Sequence, residues 1–150
     1  MNDTRRYLLL VEDDPTDEKL ALRALARSSR EVPIVIARDG ALALEHLIVP
    51  SDAGDATPPR LPALVLLDLK LPRIDGLEVL RRIRADPRAR FVPVVILTAS
   101  REDRDLLESY SLGANAYVRK PLDFDEFAAA MGAIAQFWLG LNEPAPRGVS

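Results

Sequence analysis

Residues 7–14 read YLLLVEDD, an apolar run followed directly by three carboxylates. Short apolar runs of this kind are typical of strands buried on both faces, as in parallel sheets. The pattern recurs in 64–68, LVLLD, and the apolar residues 116–118 lie just before Lys120 and Pro121. Because the carboxyl ends of parallel strands meet at one edge of a sheet, we expect these carboxylates and the lysine to lie together.

Strand and helix patterns alternate along the whole chain. The predicted strands are 7–11, 33–37, 63–67, 94–97 and 116–118. The predicted helices are 15–29, 40–48, 76–85, 101–112 and a last helix that begins at Asp123. Regular alternation favours right-handed crossovers. The sequence therefore predicts an α/β protein with a doubly wound, five-stranded parallel sheet and helices on both faces.

Composition limits the classes of function. The 150 residues carry a net charge of −3 and contain no cysteine, which excludes disulfides and thiolate chemistry. No apolar run approaches the ~20 residues that span a bilayer, and the polar start MNDTRR is not a signal peptide. With no overall basic field, the chain is expected to bind neither nucleic acid nor a membrane surface. We predict a cytoplasmic protein.

Two segments differ from the compact pattern. Residues 50–62, PSDAGDATPPRLP, are longer than the ~2–6 residues usual between a helix and a strand. We interpret them as a solvated insertion, and a partner-contacting loop is the alternative. We predict one domain over 1–141, a flexible tail over 142–150 and no output domain.

The acidic residues at the strand ends predict a metal-assisted phosphoryl site. Clustered carboxylates repel one another unless a cation binds between them. Asp13 and Asp68 are predicted to be direct ligands of Mg²⁺, which prefers oxygen donors and needs only one or two carboxylates. The other oxygen of Asp68 could attack phosphorus and form an acyl phosphate. Lys120 and the hydroxyl of Thr98 would bind the phosphoryl oxygens.

Four pieces of sequence, in order, identify a family. They are LLLVEDDP, LLDLKLPRIDG, VVILTAS and GANAYVRKP. Each is weak alone, but their order and spacing make a specific signal, and the chain resembles the receiver domain of two-component response regulators from about residue 7 to 139. The resemblance implies the flavodoxin-like receiver fold with strand order 2-1-3-4-5.

The resemblance also implies a role for each site residue. Asp68 would be the phosphoacceptor. The metal site would comprise Asp68 and Asp13 as direct ligands, Glu12 through water, and the backbone carbonyl of Lys70. The phosphoryl group would be bound by Thr98 and Lys120. Tyr117 would be the aromatic switch residue, and Pro121 would follow a cis peptide bond.

The implied function is that of a single-domain response regulator. It would accept a phosphoryl group from a sensor histidine kinase and would not be an enzyme. The ending 136–139, QFWL, after a proline-rich insertion, resembles regulators paired with bacterial phytochrome kinases. The alternatives are a phosphate-shuttling or scaffold receiver, or a metal-dependent phosphatase or phosphotransferase of the haloacid-dehalogenase kind. That last class normally has an aspartate two residues after the nucleophile, where this chain has Lys70.

The last helix predicts an interface. Its core-facing residues, at three- and four-residue steps, are Phe127, Met131, Ile134, Trp138 and Leu141. The residues away from that stripe are Phe124, Phe137 and Leu139. Large apolar side chains clustered in water mark a contact surface, so we predict a two-fold homodimer through the last helix and its neighbours.

An arginine-rich stretch follows the third predicted strand. Its members are Arg81, Arg82, Arg84, Arg88 and Arg90. No aromatic residues interleave them, so we interpret them as a solvated face rather than a nucleic-acid patch.

Overall fold

The computed structural model describes residues 6–28, 32–50, 54 and 58–146. The strands are β1 (Leu8–Val11), β2 (Ile34–Ala37), β3 (Leu64–Leu67), β4 (Val94–Thr98) and β5 (Ala116–Arg119). The helices are α1 (Pro15–Ala26), α2 (Gly40–Glu45), α3 (Gly76–Ala85), α4 (Asp103–Ser111) and α5 (Phe124–Gln136), followed by a π-helical segment, Phe137–Leu141.

The five strands form one parallel sheet in the order β2-β1-β3-β4-β5. In its register, Val11 lies beside Ala37 on one side and Leu67 on the other, so the strand ends are level. The predicted fold class and strand order are confirmed. The carboxyl ends of β1 and β3 therefore lie next to each other, which brings the residues after them to one edge.

Side chains from both faces of the sheet are buried. Leu9 and Val11 of β1 belong to a core with α2 and α3. Leu8 and Leu10, which point the opposite way, belong to a second core with α1 and α5. This double burial is the physical reason why the strands are continuous apolar runs without alternation.

Aspartates begin four of the helices. The side chains of Asp14, Asp39, Asp75 and Asp123 each accept a hydrogen bond from a backbone N–H in the first turn. Helix α4 begins after Glu102 without a side-chain cap. It starts at Asp103 rather than at the predicted residue 101, whereas α3 spans the predicted 76–85.

The end of the last helix corrects one prediction. Leu139, expected in water, is 5% exposed, and Leu141, expected in the core, is 70% exposed. The cause is the π-helical segment, in which the N–H of Asn142 donates to the carbonyl of Phe137 at 2.7 Å. The wider turn rotates the chain, so the residue five after Ile134 faces the core.

Phe124 was also expected on the exposed face, but it packs against the second core. Its ring centroid lies 4.7 Å from the guanidinium carbon of Arg23 and 4.8 Å from that of Arg27. These contacts join the start of α5 to α1. Of the three predicted surface residues, Phe137 remains exposed, at 46%.

Arg84 is the one of the five arginines that is not part of a solvated face. The guanidinium group of Arg84 is half-buried and donates four hydrogen bonds, to the carbonyls of Arg90 (2.9 Å), Val92 (2.7 Å) and Gly113 (2.8 Å) and to Oδ1 of Asn115 (2.7 Å). Arg88 donates to the carbonyl of Leu47 at 3.2 Å. The prediction was wrong for Arg84, because carbonyls of the loop after its own helix and of Gly113 replace water around it, whereas Arg88 remains exposed, as predicted.

Three further expectations concern the peptide before Pro121, the insertion and the tail. The described residues contain no cis peptide bond, so the expected cis bond before Pro121 is wrong, and the bond has the trans form that most X–Pro bonds prefer. Positions 51–53 and 55–57 of the insertion and 147–150 of the tail lie outside the described residues. Within the described part, no helix is both long and apolar enough to cross a membrane.

Candidate functional site

The side chains that follow three strands meet at the carboxyl edge of the sheet. Glu12 follows β1, Asp68 follows β3 and Lys120 follows β5. The Lys120 Nζ donates hydrogen bonds to Glu12 Oε1 at 2.7 Å and to Asp68 Oδ2 at 3.0 Å. The sheet topology thus brings together residues separated by more than 100 positions in the sequence.

A third carboxylate, Asp17, completes the contacts of the lysine. It lies in the first turn of α1 and accepts a hydrogen bond from Lys120 Nζ at 2.8 Å. The sequence motifs did not single it out. The available signal was its place three residues after Asp14, the residue that caps the helix beside the strand end.

The loop after β3 is held close to Asp68. The N–H of Gly76 donates to the carbonyl of Leu69 at 2.9 Å. A Cβ atom at position 76 would lie 2.2 Å from the carbonyl oxygen of Asp68, so only glycine allows this approach. The N–H of Lys70 donates to Asp68 Oδ1 at 3.3 Å, and the Lys70 side chain is exposed. Both carboxylate oxygens of Asp68 therefore have a donor.

The cluster contains three acidic side chains and one ammonium group, and their burial and mutual contacts shift the pKa values of Glu12 and Lys120. Burial raises the pKa of Glu12 to about 7, although the hydrogen bond and charge of Lys120 oppose the shift. Burial alone would lower the pKa of Lys120, but its hydrogen bonds to Asp17 and Glu12 and the charge of Asp68 raise it above its usual value. The lysine is thus held as an ammonium ion among carboxylates.

Asp13, expected to be a direct metal ligand, lies outside this cluster. Its side chain is exposed at the end of β1. Asp14, the third acid of the run, has another role, because its Oδ1 accepts from the N–H groups of Thr16 at 2.8 Å and Asp17 at 3.1 Å. Asp14 is therefore the residue that caps helix α1.

Thr98 and Tyr117 lie on the neighbouring strands. Thr98, the last residue of β4, is buried, and its Oγ1 accepts from the N–H of Ser100 at 3.3 Å. Tyr117 is half-buried on β5, and its hydroxyl donates to the carbonyl of Ser100 at 3.4 Å. Ser100 Oγ in turn donates to Asp105 Oδ2 at 2.5 Å. A chain of hydrogen bonds therefore runs from β4 and β5 to α4.

The donor set of the cluster fits a divalent cation. Oxygens of Glu12, Asp17 and Asp68 lie within 4.8 Å of one another. Carboxylate oxygens are the ligands that Mg²⁺ and Mn²⁺ prefer, and the chain has no cysteine thiolate to offer a softer metal. This acidic pocket can hold such an ion beside Asp68.

Curated relatives of similar length match most of the chain. The probable methanogenesis regulatory protein FilR2 of Methanothrix harundinacea is 41% identical over 140 residues, which are 93% of this chain and 88% of that protein. The response regulator Rcp1 of Synechocystis is 36% identical over 134 residues, 89% of each chain.

Solved structures of regulators have the same fold. The phosphorylated cyanobacterial phytochrome response regulator RcpA gives a TM-score of 0.82 at 34% identity, covering 95% of this chain and 99% of RcpA. The Mn²⁺-bound form of Rcp1 gives 0.82 at 34%, covering 94% and 99%. The bacteriophytochrome response regulator AtBRR gives 0.69 at 48%, covering 92% and 98%.

The family match rests on the same region that builds the site. Residues 8–132, from β1 into α5, match the family described as the response regulator receiver domain. That range includes all of the strand ends, the acidic pocket and Lys120. The chain therefore belongs to the response regulator receiver domain family.

Proposed function

We propose that this response regulator accepts a phosphoryl group on Asp68 from a phosphohistidine of a sensor histidine kinase, and that it signals through a change in its surface. The observation that carries the proposal is the contact of Lys120 Nζ with Asp68 at 3.0 Å, at the carboxyl edge of the sheet. Phosphoryl transfer requires positive charge near the phosphoryl oxygens, and an ammonium ion beside a carboxylate, in a pocket that also fits a divalent cation, provides it.

In the proposed step, one carboxylate oxygen of Asp68 attacks the phosphorus of the phosphohistidine. An O–P bond forms and the P–N bond breaks, so that an acyl phosphate remains on Asp68. The electron pair of the broken bond stays on the imidazole, which takes up a proton as it leaves. Lys120 stabilises the negative charge on the phosphoryl oxygens throughout.

We propose Mg²⁺ as the cofactor. The predicted ligands are Asp68, Asp13, Glu12 through water and the backbone carbonyl of Lys70. When bound, the ion would neutralise charge on the carboxylates and on the phosphoryl oxygens. The acidic pocket and the Mn²⁺-bound structure of the relative Rcp1 support this proposal.

For the readout, we propose that Thr98 donates its hydroxyl to the phosphoryl group and that Tyr117 acts as the switch residue. The network through Ser100 supports this role, because it joins both residues to α4. A movement of Thr98 toward the phosphoryl group would alter that network and shift the start of α4. The protein would thus be a signalling module rather than an enzyme.

We propose a bacteriophytochrome as the cognate kinase and the cytoplasm as the place of action. The 48% identity to the bacteriophytochrome response regulator AtBRR and the full-length similarity to RcpA support this pathway. The name of the relative FilR2 refers to regulation of methanogenesis, so the pairing of this chain with a bacteriophytochrome kinase needs its own test. Phosphoryl transfer from a bacteriophytochrome kinase within seconds, against minutes or longer from an unrelated kinase, would support it, and equal rates would refute it.

We also propose a homodimer through the last helix and the α4–β5–α5 surface. Four large apolar residues are exposed on α4 and on the π-helical segment that ends the last helix: Leu107, Tyr110, Phe137 and Leu141. Sedimentation should show a dimer that Phe137→Asp weakens. A wild type that stays monomeric at high micromolar concentration, with and without phosphorylation, would refute this arrangement.

The central test is chemical. Incubated with Mg²⁺ and acetyl phosphate, the wild-type protein should gain one phosphoryl group, seen as a mass increase or an incorporated label. Asp68→Asn should abolish the gain without unfolding, because the amide is nearly isosteric with the carboxylate. Labelling of Asp68→Asn at the wild-type level would refute the assignment of Asp68.

A further inference from the structure

We propose that Asp17 is a positioning residue of this site, which holds the ammonium group of Lys120 in place for the phosphoryl group on Asp68. The inference rests on the proposed function and extends it. It adds a carboxylate from helix α1 to a site whose other residues lie on strands or in the loops that follow them.

The contacts of Lys120 carry the inference. A lysine ammonium has three N–H donors. Here they reach Glu12 at 2.7 Å, Asp17 at 2.8 Å and Asp68 at 3.0 Å, and the Lys120 side chain is only 11% exposed. The three carboxylates thus account for all three donors.

Phosphorylation would change one of these contacts and leave two. The donor that faces Asp68 can turn to a phosphoryl oxygen, while Glu12 and Asp17 keep the other two. A lysine side chain is a flexible four-carbon chain with a point charge at its end. Two carboxylates, one directly after β1 and one on α1, restrain it, whereas Glu12 alone would leave the ammonium group free to rotate about a single hydrogen bond.

Asp17 is itself held in position. Asp14 accepts the N–H of Asp17 at 3.1 Å, and the N–H of Asp14 donates to Glu12 Oε2 at 3.2 Å. The carboxylate of Glu12 and the backbone of Asp17 are therefore linked through Asp14. The next acid, Glu18, is not part of this arrangement, because its carboxylate accepts two hydrogen bonds from Arg38, at 3.0 and 2.9 Å.

The first experiment compares rates of phosphorylation by acetyl phosphate with Mg²⁺. Asp17→Ala should react about tenfold more slowly than the wild type, because misplacing a reacting partner by about 1 Å costs up to ~100-fold. Asp17→Asn keeps an oxygen acceptor and should lie within about threefold of the wild type. Glu18→Gln, the matched control on the same turn, should react at the wild-type rate. Wild-type reactivity of Asp17→Ala would overturn the inference, as would an Asp17→Asn as slow as Asp17→Ala.

The second experiment asks whether Asp17 acts through Lys120. In a Lys120→Met background, Asp17→Ala should change the rate by no more than about twofold, because the group it positions is already missing. A further tenfold loss there would assign Asp17 to direct binding of metal or phosphoryl group and would overturn the inference.

A spectroscopic measurement gives a readout apart from reactivity. With three hydrogen bonds, the ammonium protons of Lys120 should exchange slowly with water and give a ¹H–¹⁵N signal, identified by its absence in Lys120→Met. The signal should persist in Glu18→Gln and broaden beyond detection in Asp17→Ala. If it is unchanged in Asp17→Ala, Asp17 does not hold the lysine. A wild type that shows this signal but gains no phosphoryl group would count against the proposed function and leave the contact standing.

Discussion

Replacing Lys120 by methionine should destabilise the metal-free protein by about 3 kcal/mol. Methionine keeps an apolar chain of similar length but removes the positive charge between the carboxylates of Glu12, Asp17 and Asp68. The three hydrogen bonds lost measure 2.7, 2.8 and 3.0 Å. The protein would then have to fold with these acids close together and without their counter-charge.

The magnitude follows from the burial of each partner. Removing one member of a buried ion pair costs ~3–5 kcal/mol, because the remaining charge stays buried. The side chains of Glu12 and Asp68 are 4% and 10% exposed and belong to this class. Asp17, at 37%, is screened by water and adds little. We expect the lower end of the range, since Glu12, with its pKa already near 7, can take up a proton.

Urea unfolding at pH 8 with a chelator, followed by circular dichroism, measures this loss. A change of ~3 kcal/mol corresponds to a fall in Tm of about 6–12 °C for a chain of this size. Lys19→Met, at an exposed position of α1, is the control and should stay within about 0.5 kcal/mol of the wild type. Mg²⁺ should then restore more stability to Lys120→Met than it adds to the wild type. A loss below about 1 kcal/mol would refute the reasoning.

Three further predictions concern Arg84, the end of the last helix and the pH dependence that Glu12 causes. Arg84→Met should cost about 2–3 kcal/mol in urea unfolding, because two part-buried carbonyls lose a charged donor. Arg81→Met, which removes a surface pair with Glu78, should cost much less, and equal costs would contradict the network around Arg84. Leu139→Ala should lower the free energy of unfolding by about 2–3 kcal/mol and Leu141→Ala by under about 0.5, and the reverse order would mean that the last turn is regular α-helix. In metal-free protein, the raised pKa of Glu12 makes the folded state bind its proton more tightly than the unfolded chain does. The resulting stability is full below the unfolded pKa of 4.5 and is lost as the pH rises through about 7, by at most about 3 kcal/mol; Glu12→Gln should flatten this pH profile, and an unchanged profile would show that another group titrates.

The sheet and the edge where the site lies could be predicted because their causes are local. A strand buried on both faces is apolar along its length, as residues 64–67 and 94–97 show directly. The boundaries of α3 followed from Gly76 at its start and Asp86-Pro87 after its end. Once the strands were placed, parallel topology was enough to bring Glu12, Asp68 and Lys120 to one edge.

The features that were missed depend on residues far away in sequence. Arg84 resembles its surface neighbours, and only the fold reveals that the carbonyl of Gly113, 29 residues away, accepts a hydrogen bond from it. Asp17 looks like any acid in a first helical turn until Lys120, 103 positions later, reaches it. The π-helical turn contains one more residue than an α-helical turn, and no residue type or spacing in the sequence indicates it.

The two ends of α4 are held differently, and this difference bears on the proposed readout. Beyond its carboxyl end, the carbonyl of Gly113 accepts from Arg84, which is itself tied to the loop before β4. The amino end of α4 follows Glu102 and has no side-chain cap. The hydrogen bonds near it run from Ser100 to Asp105 and from Tyr117 to Ser100. A movement of Thr98 toward a phosphoryl group would therefore reach the amino end first, so we expect α4 to pivot about its carboxyl end rather than to shift as a whole.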